Sequence, residues 1–174
     1  MTSRWIIGAL ALAMSTTAGA QQLPGPVDEP VKLSGPRFGV TFLSPGIVDK
    51  LKDNLDNEFK DIGPFITQFG WQFEKRFDSS DNGITPVTEW VLLLGGLEQS
   101  TVLPSLTWLV GLRARNGTEF GVGPNVTPVG VALAVTAGIT LRSGNLNFPL
   151  NLAVVPSKSG VRVSALAGFN MRRR

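Results

Sequence analysis

The 174-residue sequence contains no cysteine, no histidine and no tyrosine. These absences exclude a disulfide framework, Cys/His zinc sites, a cysteine nucleophile and any Ser-His-Asp triad. Charge is scarce as well: 17% of residues are Asp, Glu, Lys or Arg, against roughly 25% in ordinary soluble domains. A long apolar run is also missing. The most apolar internal window, Val129 to Leu141, is interrupted by Thr136 and Gly138 and falls short of the roughly 20 residues of a membrane-spanning helix. The net charge of +3 comes largely from the ends, Arg4 and the run Arg172, Arg173, Arg174. Internal Arg and Glu are scattered singly and are not clustered among aromatics, so no nucleic-acid partner is expected. Twenty Gly and twelve Pro suit strands separated by turns, and the length suits one domain.

The first twenty residues, MTSRWIIGALALAMSTTAGA, place one Arg before an apolar stretch, Trp5 to Met14, and end on Ala18-Gly19-Ala20. That order predicts a cleavable secretory signal, residues 1–20, cut after Ala20. The other reading is an anchor helix, for which the apolar stretch is about half the required length. Residues 21–36, rich in Pro and Gly, read as an extended linker.

From residue 37 to 171 the dominant pattern is alternation, the period of strands with two unlike faces. Phe65, Phe69, Trp71, Phe73 and Phe77 share one parity, with Gln68, Gly70, Gln72, Glu74 and Arg76 between them. The pattern recurs around Phe38, Val40 and Phe42, around Leu106, Trp108, Val110 and Leu112, and around Phe120, Val122 and Val126. It recurs again from Val131 to Leu141, from Leu146 to Val154 and from Val161 to Phe169. One further strand, about 86–97, is apolar on both faces apart from Glu89, which leaves its register open. Asn116-Gly117, read as a type I′ pair, and the Ser143-Gly144 and Ser159-Gly160 turns imply tight hairpins. A longer turn is expected at 78–83. The predicted fold is all-β: an eight-stranded antiparallel up-and-down barrel.

One segment departs from this period. Ser44-Pro45 offers a helix start, and Ile47, Leu51, Leu55 and Phe59 then recur every four residues among Asp and Lys. An amphipathic helix over about 46–59 is expected between strands 1 and 2, packing over one barrel end or else lying in the lumen or against a membrane surface.

Such a barrel can close with its apolar face inward, as in lipocalins, or outward toward lipid. The polar face here is rich in Gly and Ala and nearly free of Lys, which fits a narrow filled interior better than a water-facing surface. An ionic network inside it is expected from Arg37, Glu74, Arg76, Glu89, Arg113, Glu119, Arg142 and Arg162, since buried charges must be paired or hydrogen-bonded. The opposite face carries Phe38, Phe77, Trp90, Phe120 and Phe169 near strand ends, compatible with interfacial girdles, although such girdles usually also contain Tyr. With these features the chain resembles the small eight-stranded bacterial outer-membrane barrels of the OmpA-membrane-domain and OmpX kind. The resemblance covers about residues 37–171 and rests on architecture. It implies the cell outer membrane as location, lipid as surroundings and the barrel-assembly machinery as a partner during biogenesis. Phe169 ends the alternating strand where such barrels commonly end on an aromatic, but Asn170, Met171 and three Arg follow.

Remaining motifs are better explained structurally. Gly121-Val122-Gly123 and Gly95-Gly96 lack the spacing and following helix of a phosphate loop. Asn116-Gly117-Thr118 and Asn125-Val126-Thr127 match glycosylation sequons but sit at a hairpin turn and a strand end. Glu74 and Glu89 suggest an acid/base pair less readily than salt bridges to Arg, and Arg172 to Arg174 read as a solvated tail able to meet anionic head groups. The expectation is a non-enzymatic integral outer-membrane barrel with no metal or cofactor and a structural or interaction role. The alternative is a periplasmic lipocalin-like carrier of an apolar ligand.

Overall fold

The computed structural model describes residues 33–54, 62–77 and 83–171. The expected signal, most of the linker, residues 55–59 at the end of the expected helix, most of the 78–83 turn and the basic tail lie outside these described residues.

The elements in chain order are β1 (Gly35–Leu43), α1 (Pro45–Asn54), β2 (Phe65–Arg76), β3 (Ile84–Gly95), a short 3-10 turn (Leu97–Gln99), β4 (Leu103–Ala114) and β5 (Thr118–Thr127). They continue with β6 (Gly130–Ser143), β7 (Leu146–Ser157), β8 (Gly160–Gly168) and β9 (Asn170–Met171). Each of the strands β1 to β7 pairs antiparallel with the next, and β8 returns to β1 with Arg37 opposite Gly168 and Leu43 opposite Arg162. The sheet is thus closed, an eight-stranded up-and-down barrel with one helix between its first two strands. The two residues of β9 prolong β8 beyond Phe169 and pair with Leu146 and Asn147 of β7. Closure pairs each of the eight strands with a neighbour on both sides, so most backbone donors and acceptors are met within the wall.

The alternation is realised as an inversion of the usual core. Outward positions are apolar and open: Phe65 and Phe120 are each 64% exposed and Val131 is 70% exposed. Many inward positions are polar or small, with Arg37, Gln72, Glu89, Arg113, Glu119, Asn125 and Arg162 all buried, beside an inward apolar patch that includes Val91, Leu93, Leu109 and Val155. Cross-strand aromatic pairs lie on the outside, including Trp90 and Trp108, stacked with centroids 5.8 Å apart, and Phe42 and Phe65 at 5.2 Å.

The strand that is apolar on both faces takes a definite register. Val87, Glu89, Val91 and Leu93 point inward and Trp90 and Leu92 outward, with Glu89 opposite Glu74 and Trp90 opposite Trp108. Three expectations need correction. Gly35 and Pro36, assigned to the linker, already belong to β1. Trp90 stands in the middle of β3, not near its end. The Asn116-Gly117 turn is not type I′, which needs positive φ at both central residues. Only Gly117 is in that region (φ 89°), and its N–H donates to Ala114 O at 3.0 Å. Thr118 N–H donates to the Asn116 side chain at 3.0 Å, giving a longer loop of the kind whose last residue is a left-handed glycine.

Helix α1 closes the barrel end opposite the one from which β1 starts and at which β8 finishes. Pro45 opens it, as the Ser44-Pro45 pair suggests. Its Ile47, Val48 and Leu51 pack with Leu43, Ile62, Ile66 and Leu103 in one buried cluster. Ser44 secures the entry: its N–H donates to Val161 O at 3.1 Å, and its hydroxyl accepts the Val161 N–H at 2.9 Å. The helix therefore caps the lumen from above rather than lying outside. At the same end the Glu98 carboxylate accepts Thr67 N–H at 2.7 Å, tying the 3-10 turn to β2.

Close approach of neighbouring strands requires glycine at some inward positions. At Gly123 a Cβ would lie 1.8 Å from Trp108 O and 3.1 Å from Leu109 Cα. Gly123→Ala is therefore expected to lower the urea midpoint of the folded barrel by an amount equivalent to about 1–3 kcal/mol, the usual cost of overpacking.

Candidate functional site

The interior has two unlike halves. Near the open end, inward positions of four consecutive strands bring Glu74, Glu89, Arg113 and Glu119 to one level. The hairpins dictate this: Glu74 faces Glu89 across β2–β3, and Arg113 faces Glu119 across β4–β5. Arg113 is the hub. Its Nη1 and Nη2 donate to Glu74 Oε1 and Oε2 at 2.8 and 2.6 Å, a bidentate pair. Its Nε and Nη2 donate to Glu119 Oε2 at 2.8 and 2.6 Å, and Nη2 also reaches Glu89 Oε1 at 3.1 Å. One planar guanidinium thus holds three carboxylates, a task suited to its rigid fork of donors and not to a lysine ammonium.

Surrounding groups complete the cluster. Asn151 of β7 donates to Glu119 Oε1. Arg76 Nε lies 3.6 Å from Glu74 Oε1. Arg37 donates to the Gln72 side chain at 3.0 Å and to the carbonyls of Pro36 and Leu33 at 3.0 and 2.7 Å. Three Glu and three Arg at this level balance formally. Side-chain exposure of the three carboxylates is at most 7%, so the balance is needed rather than ornamental: unpaired buried charge costs several kcal/mol.

Toward the capped end the lumen becomes apolar. Val91, Leu93, Leu109, Ala134 and Val155 form a second buried cluster with Ala132 and Leu166 against it. A cavity of about 80 Å³ lies between this cluster, the floor at Glu89 and Gln72, and the α1 cap. Asn125 spans its wall, donating to Ser105 and Thr107 hydroxyls at 2.8 Å each and accepting from Arg162 at 2.7 Å.

Of the eight residues expected in one ionic network, Glu74, Glu89, Arg113, Glu119 and Arg76 are brought together, and Arg37 lies beside them with neutral partners. Arg162 is far along the barrel, held by Asn125 and by the Thr127 hydroxyl at 3.1 Å. Arg142 is a correction. It has inward parity, but it sits one residue from the end of β6 and is exposed at the rim, opposite Asn147. Gln72, Asn125 and Asn151 are the partners not singled out in advance. Their inward parity was the available signal.

The Glu74–Glu89 pair is cross-linked through Arg113. Among the described residues no group of His, Cys, Asp and Glu could hold a metal ion. Comparison of the chain with protein-family models, with curated proteins and with solved structures finds no match.

Proposed function

We propose that this protein is an integral outer-membrane β-barrel, non-enzymatic, with a filled lumen and a structural or interaction role. The observation that carries this reading is the contrast between the two faces of the wall. Apolar side chains cover the outside around the barrel, while the inside holds three carboxylates on one arginine. In water, such an exterior would leave an apolar patch far larger than the few hundred Å² typical of soluble monomers. In a bilayer it meets hydrocarbon. An eight-strand barrel closed by side chains and a helix is too narrow for bulk solute passage. The secretory-type leader supports export, and the resemblance to small outer-membrane barrels supports lipid surroundings and delivery by the assembly machinery.

The carrier reading has one feature in its favour, the apolar cavity under α1. It leaves the exposed apolar exterior without a role. Envelope fractionation separates the two. The barrel reading predicts that the protein is extracted only with detergent and migrates differently on SDS gels before and after boiling. Release into the soluble periplasm without detergent would overturn it and favour the carrier.

A further inference from the structure

The wall parts between β6 and β7 at the capped end. The β6–β7 ladder runs from Ser143 opposite Leu146 only as far as Val135 opposite Val154. Yet β6 starts at Gly130, still paired to Thr127 of β5, and β7 continues to Ser157, still paired to Gly160 of β8. The two strands therefore part toward the capped end, leaving a side gap. Pro156 lies on its margin, a residue with no N–H to offer a neighbour and one typical of strand edges. A cavity of about 320 Å³ fills this gap, walled by the first residues of β6, the last of β7, and Ile47 and Lys50 of α1.

Arg162 lines this cavity and also the interior one beneath the cap. It is 9% exposed. Its two terminal nitrogens donate to Asn125 and Thr127, both neutral. Its Nε is buried with no hydrogen-bond partner, and among the described residues no carboxylate pairs with it. This is the opposite of Arg113, whose donors are saturated by acids. Buried guanidinium without an anion is an unfavourable arrangement unless something supplies one. Lys50 and Lys158 line the same cavity, with the hydroxyls of Ser157 and Ser159, and no acidic residue does.

We propose that the β6–β7 gap is a binding site for a phosphate group, with the Arg162 Nε–H as its buried donor and Lys50 and Lys158 as its outer cations. Phosphate suits the set better than a carboxylate: several oxygens can accept from separate donors, and up to two negative charges meet three cations. The gap opens beside Val131, the outward apolar residue at the start of β6. The phosphate is accordingly that of a lipid head group whose chains lie along the wall, and this assignment of the source rests on the outer-membrane reading. The phosphate site itself does not.

The test uses the full chain in maltoside micelles, which carry no phosphate, with ¹⁵N-labelled arginine. Inorganic phosphate and a short-chain phosphatidic acid are titrated while the Arg162 Nε–H resonance is followed, identified by its loss in Arg162→Lys. A saturable shift is expected. Lys158→Ala, on an exposed turn, is expected to weaken it about tenfold, as for one lost charge-assisted hydrogen bond. Tighter binding of the phosphatidic acid identifies a lipid head group, and equal or tighter binding of inorganic phosphate identifies the free anion as ligand. A resonance that moves with neither probe overturns the proposal, as does a shift unaffected by both Lys158→Ala and Lys50→Ala. Heat-dependent gel migration of the same sample keeps the two readings apart. A heat-modifiable barrel with a silent Arg162 overturns the site alone. A protein soluble without detergent whose Arg162 responds overturns the membrane reading alone.

Discussion

Arg113→Met is expected to destabilise the barrel by about 3–5 kcal/mol, the cost of removing one partner from buried ion pairs, read as a fall in the urea midpoint of the folded protein. The substitution keeps most of the side chain's volume and removes its charge and all five hydrogen bonds to Glu74, Glu89 and Glu119. Three carboxylates would then share a dry level with no guanidinium hydrogen-bonded to them, Arg76 staying 3.6 Å from Glu74 and Arg37 on its neutral partners. The three acids are not equivalent. Glu74 is held bidentately and Glu119 by two donations plus Asn151, whereas Glu89 receives one bond of 3.1 Å and faces Glu74 directly across the ladder. Glu89→Gln is therefore expected to be near neutral in the parent protein. In the Arg113→Met background it is expected to recover part of the loss, because it removes one of three repelling charges. A double-mutant cycle measures that coupling. Equal additive losses for both substitutions would show that the cluster does not act through Arg113.

The second large effect lies on the other face. Val122, in the middle of β5, stands between Val110 of β4 and Val135 of β6 and is 47% exposed. In a bilayer this row sits at mid-depth. Val122→Arg is expected to reduce folding into vesicles by about 2–4 kcal/mol, the cost of Arg on a lipid face near the midplane. Val102→Arg is the control, 54% exposed in the loop before β4 at the capped rim, with an expected change of about 0.5 kcal/mol or less. If the wall faced water, both variants would behave alike.

Much of this architecture can be read from the chain because a strand's period of two assigns every residue a face. That is why Phe65 through Phe77 separated from Gln68 through Arg76, and why Ser44-Pro45 marked the start of α1. Parity gives a face but not a height along the barrel. Arg142 and Arg113 have the same inward sense, yet one is at the rim and the other at the centre of the charge cluster, a difference set by ladder register. Register was least visible in β3, where apolar residues on both faces remove the contrast that would pin it. The facing of Glu89 with Glu74 follows from that register and so was not foreseeable. The side gap is equally hidden. Pro156 hints at an edge, but only closure of the sheet decides which neighbour it fails to pair.

Whether the outward face lies in lipid can be measured directly, because the chain has no cysteine to interfere with site-specific labelling. Single cysteines at residues 119 to 126 of β5, each carrying a nitroxide, can be read for collision with oxygen and with a water-soluble nickel chelate in reconstituted vesicles. An outer-membrane barrel predicts a period of two, with Phe120, Val122 and Val126 high in oxygen and low in nickel and the inward positions between them low in oxygen. High nickel collision at Val122, in a protein that stays folded without lipid, would contradict the account.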